Sequence, residues 1–182
     1  VIILNFFASV AMIWGQDNPS LLQMAVPSLN IAPDARGGGM GDMGAATLPD
    51  INSQYWNAAK YAFMGSKAGV SLSYTPWLRK LVNDVALVNM TGYYKLGNSD
   101  LQAISASLRY FSLGEVNIWE NIGDVPYGLN PYEMAFDVAY SRKLSESYSM
   151  AVTLRYIRSD MGTDQNDESN AGNAFSADIS GY

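Results

Sequence analysis

From about residue 67 onward, apolar and polar residues alternate with a period of two. In residues 68–78 Val70, Leu72 and Tyr74 alternate with Ser71, Ser73 and Thr75. In residues 101–114 Ile104, Ala106, Leu108 and Tyr110 alternate with Ala103, Ser105, Ser107 and Arg109. Residues 133–144 set Met134, Phe136, Val138 and Tyr140 against Ala135, Asp137, Ala139 and Ser141. Residues 148–160 set Met150, Val152, Leu154 and Tyr156 against Ala151, Thr153, Arg155 and Ile157. Side chains of a strand point alternately to opposite faces, so each run predicts a strand with one apolar face. Residues 83–96 also read as a strand, with both faces mixed, and residues 174–182 begin a sixth.

These runs are about 9–12 residues long, against about 5–6 for an ordinary strand. A tilted strand needs about 9–11 residues to cross a bilayer. The second face is small and polar but carries single charges, Arg109, Asp137, Arg155 and Asp178. In a soluble sandwich that face meets solvent; in a membrane barrel it lines a wet lumen while the apolar face meets lipid. Tyrosines close the runs at Tyr93, Tyr94, Tyr110, Tyr140 and Tyr156. They read as an aromatic girdle at the bilayer interface, or simply as good strand formers. Residues 95–100 and 143–147 are short polar hairpin connections, whereas residues 114–131 and 159–173 are long and turn-rich. Such sorting of short turns to one end and long loops to the other is expected of an outer-membrane barrel. The predicted fold is therefore all-β, a transmembrane antiparallel β-barrel. The pattern stops inside the sixth run at Tyr182, and the smallest membrane barrels have about eight strands. The chain is thus expected to be the N-terminal part of a longer protein.

Residues 1–15 are almost wholly apolar, and Gln16, Asp17, Asn18 and Pro19 end the run abruptly. A membrane-spanning helix needs about 20 apolar residues, so the shorter run reads as the core of a secretory signal peptide whose start is missing. The alternative is a buried N-terminal strand or helix. The chain has no cysteine and no histidine, which removes disulfides, thiolate metal sites and the commonest general base. A net charge of -6 argues against a nucleic-acid partner. No cofactor or catalytic constellation is evident, and no enzyme is predicted. The acidic run in residues 160–168 lacks metal-loop spacing and reads as a solvated loop tip, with a calcium site as the weaker alternative.

Residues 33–47 hold five glycines. Gly39, Gly41 and Gly44 spell GxGxxG, but no strand precedes them and no βαβ unit follows, so a nucleotide loop is not supported. The remaining reading is a tightly turning segment packed where side chains do not fit. Residues 51–64 then show helical spacing, with Ser53 as the cap and Tyr55, Ala58, Ala59 and Ala62 on one face.

Residues 29–63, LNIAPDARGGGMGDMGAATLPDINSQYWNAAKYAF, closely resemble the N-terminal signature of the PorV (LptO) family. These are the outer-membrane barrels of the type IX secretion system of Bacteroidetes, within the wider FadL-like superfamily. The matching elements are Asp34, Ala35 and Arg36 with Gly37, Gly38, Gly39 and Gly41, then Asp50, then Tyr55, Trp56, Asn57, Ala58 and Ala59. The wider superfamily has Asn-Pro-Ala where this chain has Asn57 and Ala58, which favours the PorV branch. The resemblance implies a barrel of about 14 strands in a protein roughly twice this length. It implies that residues 16–66 form a hatch inside the barrel and that residues 67–182 supply its first six or so strands. Arg36 and Asp50 would pair with lumen charges. It further implies a non-enzymatic component, with no cofactor, sitting in outer-membrane lipid. Its partners would be the type IX translocon, the surface attachment complex and secreted proteins with C-terminal sorting domains. Trp119, Tyr127 and Tyr132 are candidate contacts for such a partner or members of the interface girdle. The alternative function is a FadL-type channel for hydrophobic small molecules.

Overall fold

The protein is described here from a computed structural model. It covers residues 26–77, 84–97, 101–118, 127–161 and 171–182, with the backbone alone for Ile118 and Tyr127. The expected signal peptide, Trp119 and the acidic tip at 162–168 lie outside the described residues.

All six expected strands form. They are β1 (Ala68–Pro76), β2 (Val85–Leu96), β3 (Gln102–Leu113), β6 (Tyr132–Ser145), β7 (Tyr148–Asp160) and β8 (Gly172–Gly181). They build one antiparallel sheet in the order β1-β2-β3-β6-β7-β8. Between β3 and β6 the long connection is more regular than its turn-rich sequence suggests. It contains a small ribbon of β4 (Val116–Ile118) and β5 (Tyr127–Leu129). A two-residue turn at Glu146 and Ser147 joins β6 to β7, with a register shift between Lys143 and Ser145. The β2–β3 connection lies at that same end of the sheet, and the β3–β6 and β7–β8 connections lie at the opposite end.

Burial in this sheet is the reverse of a soluble protein's. On the apolar face Val70 is 69% exposed, Leu154 63% and Phe175 83%. On the polar face Arg109 is 5% exposed, Asp137 6% and Glu133 1%. Charged groups are almost never buried unless paired, and here they are covered by the segment that precedes β1. That segment contains a 3-10 turn (Pro27–Asn30), a short helix α1 (Ala35–Gly39), a second helix α2 (Ser53–Trp56) and a 3-10 helix (Ala58–Phe63). Among the described residues no helix is long and apolar enough to cross a membrane.

Two sequence expectations change. The glycines of 37–39 do not form an irregular turn but complete α1, because Asp34 caps it by accepting from the Gly37 N–H at 2.9 Å. The turn comes after the helix, where Gly41 has φ 75 and Asp42 φ 59. The single helix expected over 51–64 is two pieces, broken where Asn57 is extended at φ -166. Ser53 is inside α2 rather than its cap, and its hydroxyl instead donates to Asp50 Oδ1 at 3.0 Å.

The girdle is also corrected. Adjacent residues of a strand face opposite ways, so Tyr93 and Tyr94 cannot both meet lipid. Tyr94 is outward and 50% exposed, while Tyr93 is buried on the polar face and stacked on Tyr61 with centroids 4.9 Å apart. At the long-loop end Tyr110 stacks on Tyr132 at 5.5 Å and Tyr156 lies 5.0 Å from Phe175. Tyr132 therefore stands in this outward aromatic row, where its hydroxyl accepts from Arg158 Nε at 3.2 Å.

Candidate functional site

The motif residues converge on one knot against the polar face. Asp34 holds α1 with one carboxylate oxygen, while its other accepts from the Trp56 indole N–H at 3.4 Å. The Trp56 ring then needs glycine beneath it. A Cβ on Gly44 would lie 2.2 Å from Trp56 Cδ2 and Cγ, and one on Gly37 would lie 2.9 Å from Cζ2. Gly37 and Gly44 thus serve close approach, and Gly41 serves backbone conformation. Gly44→Ala is expected to destabilise by about 1–3 kcal/mol, the cost of overpacking a fitted site. In a Trp56→Ala background the same change should cost far less, and equal penalties in both backgrounds would reject this contact as the reason. Urea unfolding of the two single variants and the double variant gives the comparison.

Asn57 ties the knot to the sheet. Its Oδ1 accepts from the Ala59 N–H at 3.0 Å, which starts the 3-10 helix. Its Nδ2 donates to the Gly181 carbonyl of β8 at 2.8 Å and to the Ala45 carbonyl at 3.4 Å. Next to it, Lys60 is fully buried and donates to the Gly44 carbonyl at 2.8 Å and to Thr47 Oγ1 at 3.1 Å. Burial pushes its ammonium below the ordinary lysine value. Tyr61 is likewise buried, which raises its hydroxyl. That hydroxyl accepts from the Gln54 N–H at 2.9 Å and donates to the Ile51 carbonyl at 2.8 Å. Neither Lys60 nor Tyr61 was singled out from the sequence, because a lysine or tyrosine between alanines carries no motif.

Arg36 and Asp50 do not reach the sheet charges as expected. They pair with each other at 3.0 Å on an exposed edge. The sheet charges form their own row. Asp137 accepts from Arg155 Nε at 2.7 Å and from Ser107 Oγ at 3.2 Å, and Arg155 reaches Asp178 at 3.6 Å. Arg109 turns to the N-terminal segment. It donates to the Ser28 carbonyl at 3.0 Å and to the Ile31 carbonyl at 3.2 Å, with its guanidinium 4.4 Å from the centre of the Tyr55 ring. Glu133 accepts from the Ser28 N–H at 3.0 Å, and Tyr55 donates to the Leu29 carbonyl at 2.9 Å. Glu133 opens the fourth run, and its place at a strand end carries no sequence signal of this role.

Closer to the short-turn end the seam is built from small residues. Ala58 and Ala59 pack with Tyr61 against Tyr93, Ala103, Ala139 and Ala151. Ser149 Oγ donates to the Ala59 carbonyl at 2.8 Å. This is why the polar face is so rich in alanine and serine: larger side chains would hold the segment off the sheet. The knot fixes the N-terminal segment on a strongly polar wall.

The family model described as "Type IX secretion system protein PorV" matches residues 15–182. No curated protein matches the chain. The match takes in the glycine-rich knot and the eight strands of the described residues, and by it this chain belongs to the PorV family of type IX secretion system proteins.

Proposed function

We propose that the sheet is part of the wall of an outer-membrane β-barrel, with residues 26–64 as a hatch in its lumen. In this reading the protein takes secreted proteins with C-terminal sorting domains from the translocon and passes them to the surface attachment machinery. The observation that carries the membrane reading is the inverted burial: an apolar face left bare over the long strands, with Lys95, Arg109, Glu133 and Asp137 covered on the other and Asp178 open on the last strand. In water the exposed face would be a large adhesive patch, and in lipid it is the correct surface. The small, charged polar face supports a protein carrier over a channel for hydrophobic solutes. The long connection 114–131 is the candidate partner surface through Trp119 and Tyr127. Tyr132, being in the outward aromatic row, is assigned to the bilayer interface.

Deletion of the gene in the native host tests this. Proteins with C-terminal sorting domains are expected to fail to appear attached at the surface, or to accumulate in the periplasm. Normal export and attachment, together with reduced uptake of a hydrophobic compound, would replace this reading with the channel.

A further inference from the structure

On the outward face the sheet is not evenly covered. Gly92 of β2 leaves a gap in the apolar surface, and a cavity of about 630 Å³ opens over it. Its rim is Val70, Met90, Tyr94, Ile104, Leu108 and Phe136. It is a shallow depression open along the outward face, so an occupant lies along it rather than inside it. The gap is not forced by crowding. A Cβ on Gly92 would sit 3.5 Å from the Gly69 carbonyl oxygen and 3.6 Å from Val70 Cγ2, which is ordinary contact. A glycine inside a strand weakens it and marks a place of close approach. The cavity runs along the strands from the level of Tyr94, Ile104 and Tyr140, which stand side by side in register, toward Leu108 and Phe136. At its Tyr94 end is a cation: Lys67 Nζ is 6.0 Å from the centre of the Tyr94 ring. Tyrosine and lysine together are what a strand presents at headgroup level.

From this geometry we infer that the Gly92 cavity is a phospholipid site. It takes one acyl chain of an anionic phospholipid along the strands, with the headgroup phosphate on Lys67. Lysine binds phosphate as a point charge, and the cavity wall supplies only apolar contact. The site belongs to the leaflet at the short-turn end of the sheet. This inference rests on the membrane-barrel reading given above.

The test uses the full-length protein extracted from membranes in mild detergent, with dioleoylphosphatidylglycerol as the probe and native mass spectrometry as the readout. The wild type is expected to retain one lipid per barrel. Gly92→Leu fills the cavity and should abolish retention, whereas Gly92→Ala should keep most of it. Lys67→Gln should weaken phosphatidylglycerol retention about fivefold, the worth of one basic residue against an anionic lipid, and should weaken retention of zwitterionic phosphatidylcholine, which carries the same phosphate but no net charge, by less. Unaltered retention in Gly92→Leu overturns the proposal. So does unaltered retention in Lys67→Gln, which changes an exposed side chain just before β1, keeps the main-chain bond from Lys95 and decides the matter if Gly92→Leu does not fold. Loss of a co-purifying translocon protein from Gly92→Leu, with lipid unchanged, would hand the cavity to a protein partner and also overturn it. A wild type that partitions into the aqueous phase without detergent would sink the barrel reading itself. A wild type that is integral to the membrane but holds no lipid sinks only this inference.

Discussion

Asp137→Ala is expected to destabilise the folded protein by about 3 kcal/mol, the low end of the range for breaking a buried ion pair. Asp137 is 6% exposed, and its carboxylate accepts from Arg155 Nε at 2.7 Å, Arg155 Nη2 at 3.3 Å and Ser107 Oγ at 3.2 Å. Its removal leaves the Arg155 guanidinium on the polar face with Asp178 at 3.6 Å as its carboxylate. Arg155 keeps a fifth of its side chain exposed (21%), which is why the lower figure applies. Adding Arg155→Leu should recover most of the loss, because an apolar replacement of a whole pair is often neutral while a stranded charge is not. Urea unfolding of the full-length protein folded into lipid vesicles measures both. A single variant within about 0.5 kcal/mol of the wild type, as for an ordinary surface change, would show that the charge row carries no structural weight.

The second large effect separates the two faces. Leu154 stands mid-strand in β7 on the bare apolar face. Leu154→Arg is expected to cost about 2–4 kcal/mol in a bilayer, the measured scale for arginine at the lipid midplane of a barrel. On a water-facing sheet the same change would be neutral or mildly solubilising. The readout is again unfolding from vesicles, with Leu144→Arg near the hairpin as the comparison. Leu144 is beside the register shift at the strand end, where the cost should fall to about 0–1 kcal/mol. Equal costs at both positions would remove the depth dependence and with it the membrane orientation.

Much of this was legible in the sequence because strand faces follow from parity alone. Residues 101–114, 133–144 and 148–160 fixed which side chains share a face, and the odd charges Arg109, Asp137 and Arg155 fell on the covered side as read. Tyr93 could have been placed by the same rule, since Lys95, Thr91 and Asn89 share its parity and are polar. What parity cannot supply is the third dimension. That Asn57 would reach Gly181, or Glu133 the Ser28 N–H, depends on how the N-terminal segment lies across the sheet, and no local pattern encodes that. The break between the helix pieces is hidden from the sequence for a related reason. Ala58, Ala59 and Ala62 mimic a continuous helix, but the Asn57 side chain offers the backbone a competing cap and breaks it. Gly37–Gly39 looked like a loop because glycine is a poor helix former, yet one well-placed carboxylate at Asp34 was enough for a short turn of helix.

The join between the N-terminal segment and the sheet is made of alanines and of side chains gripping main-chain atoms, as Arg109, Glu133, Ser149 and Asn57 do. Beyond the Tyr61–Tyr93 and Phe63–Tyr182 ring contacts the join buries few large apolar side chains, and water can substitute for its hydrogen bonds. The strand ladder has no such alternative when lipid surrounds it. The two parts therefore have different solvents to answer to: the wall is locked by the absence of water outside, and the covering piece is negotiable wherever water enters from within. On the barrel reading proposed above, the sheet and its covering segment are therefore stabilised separately, and the segment is the part that water can release.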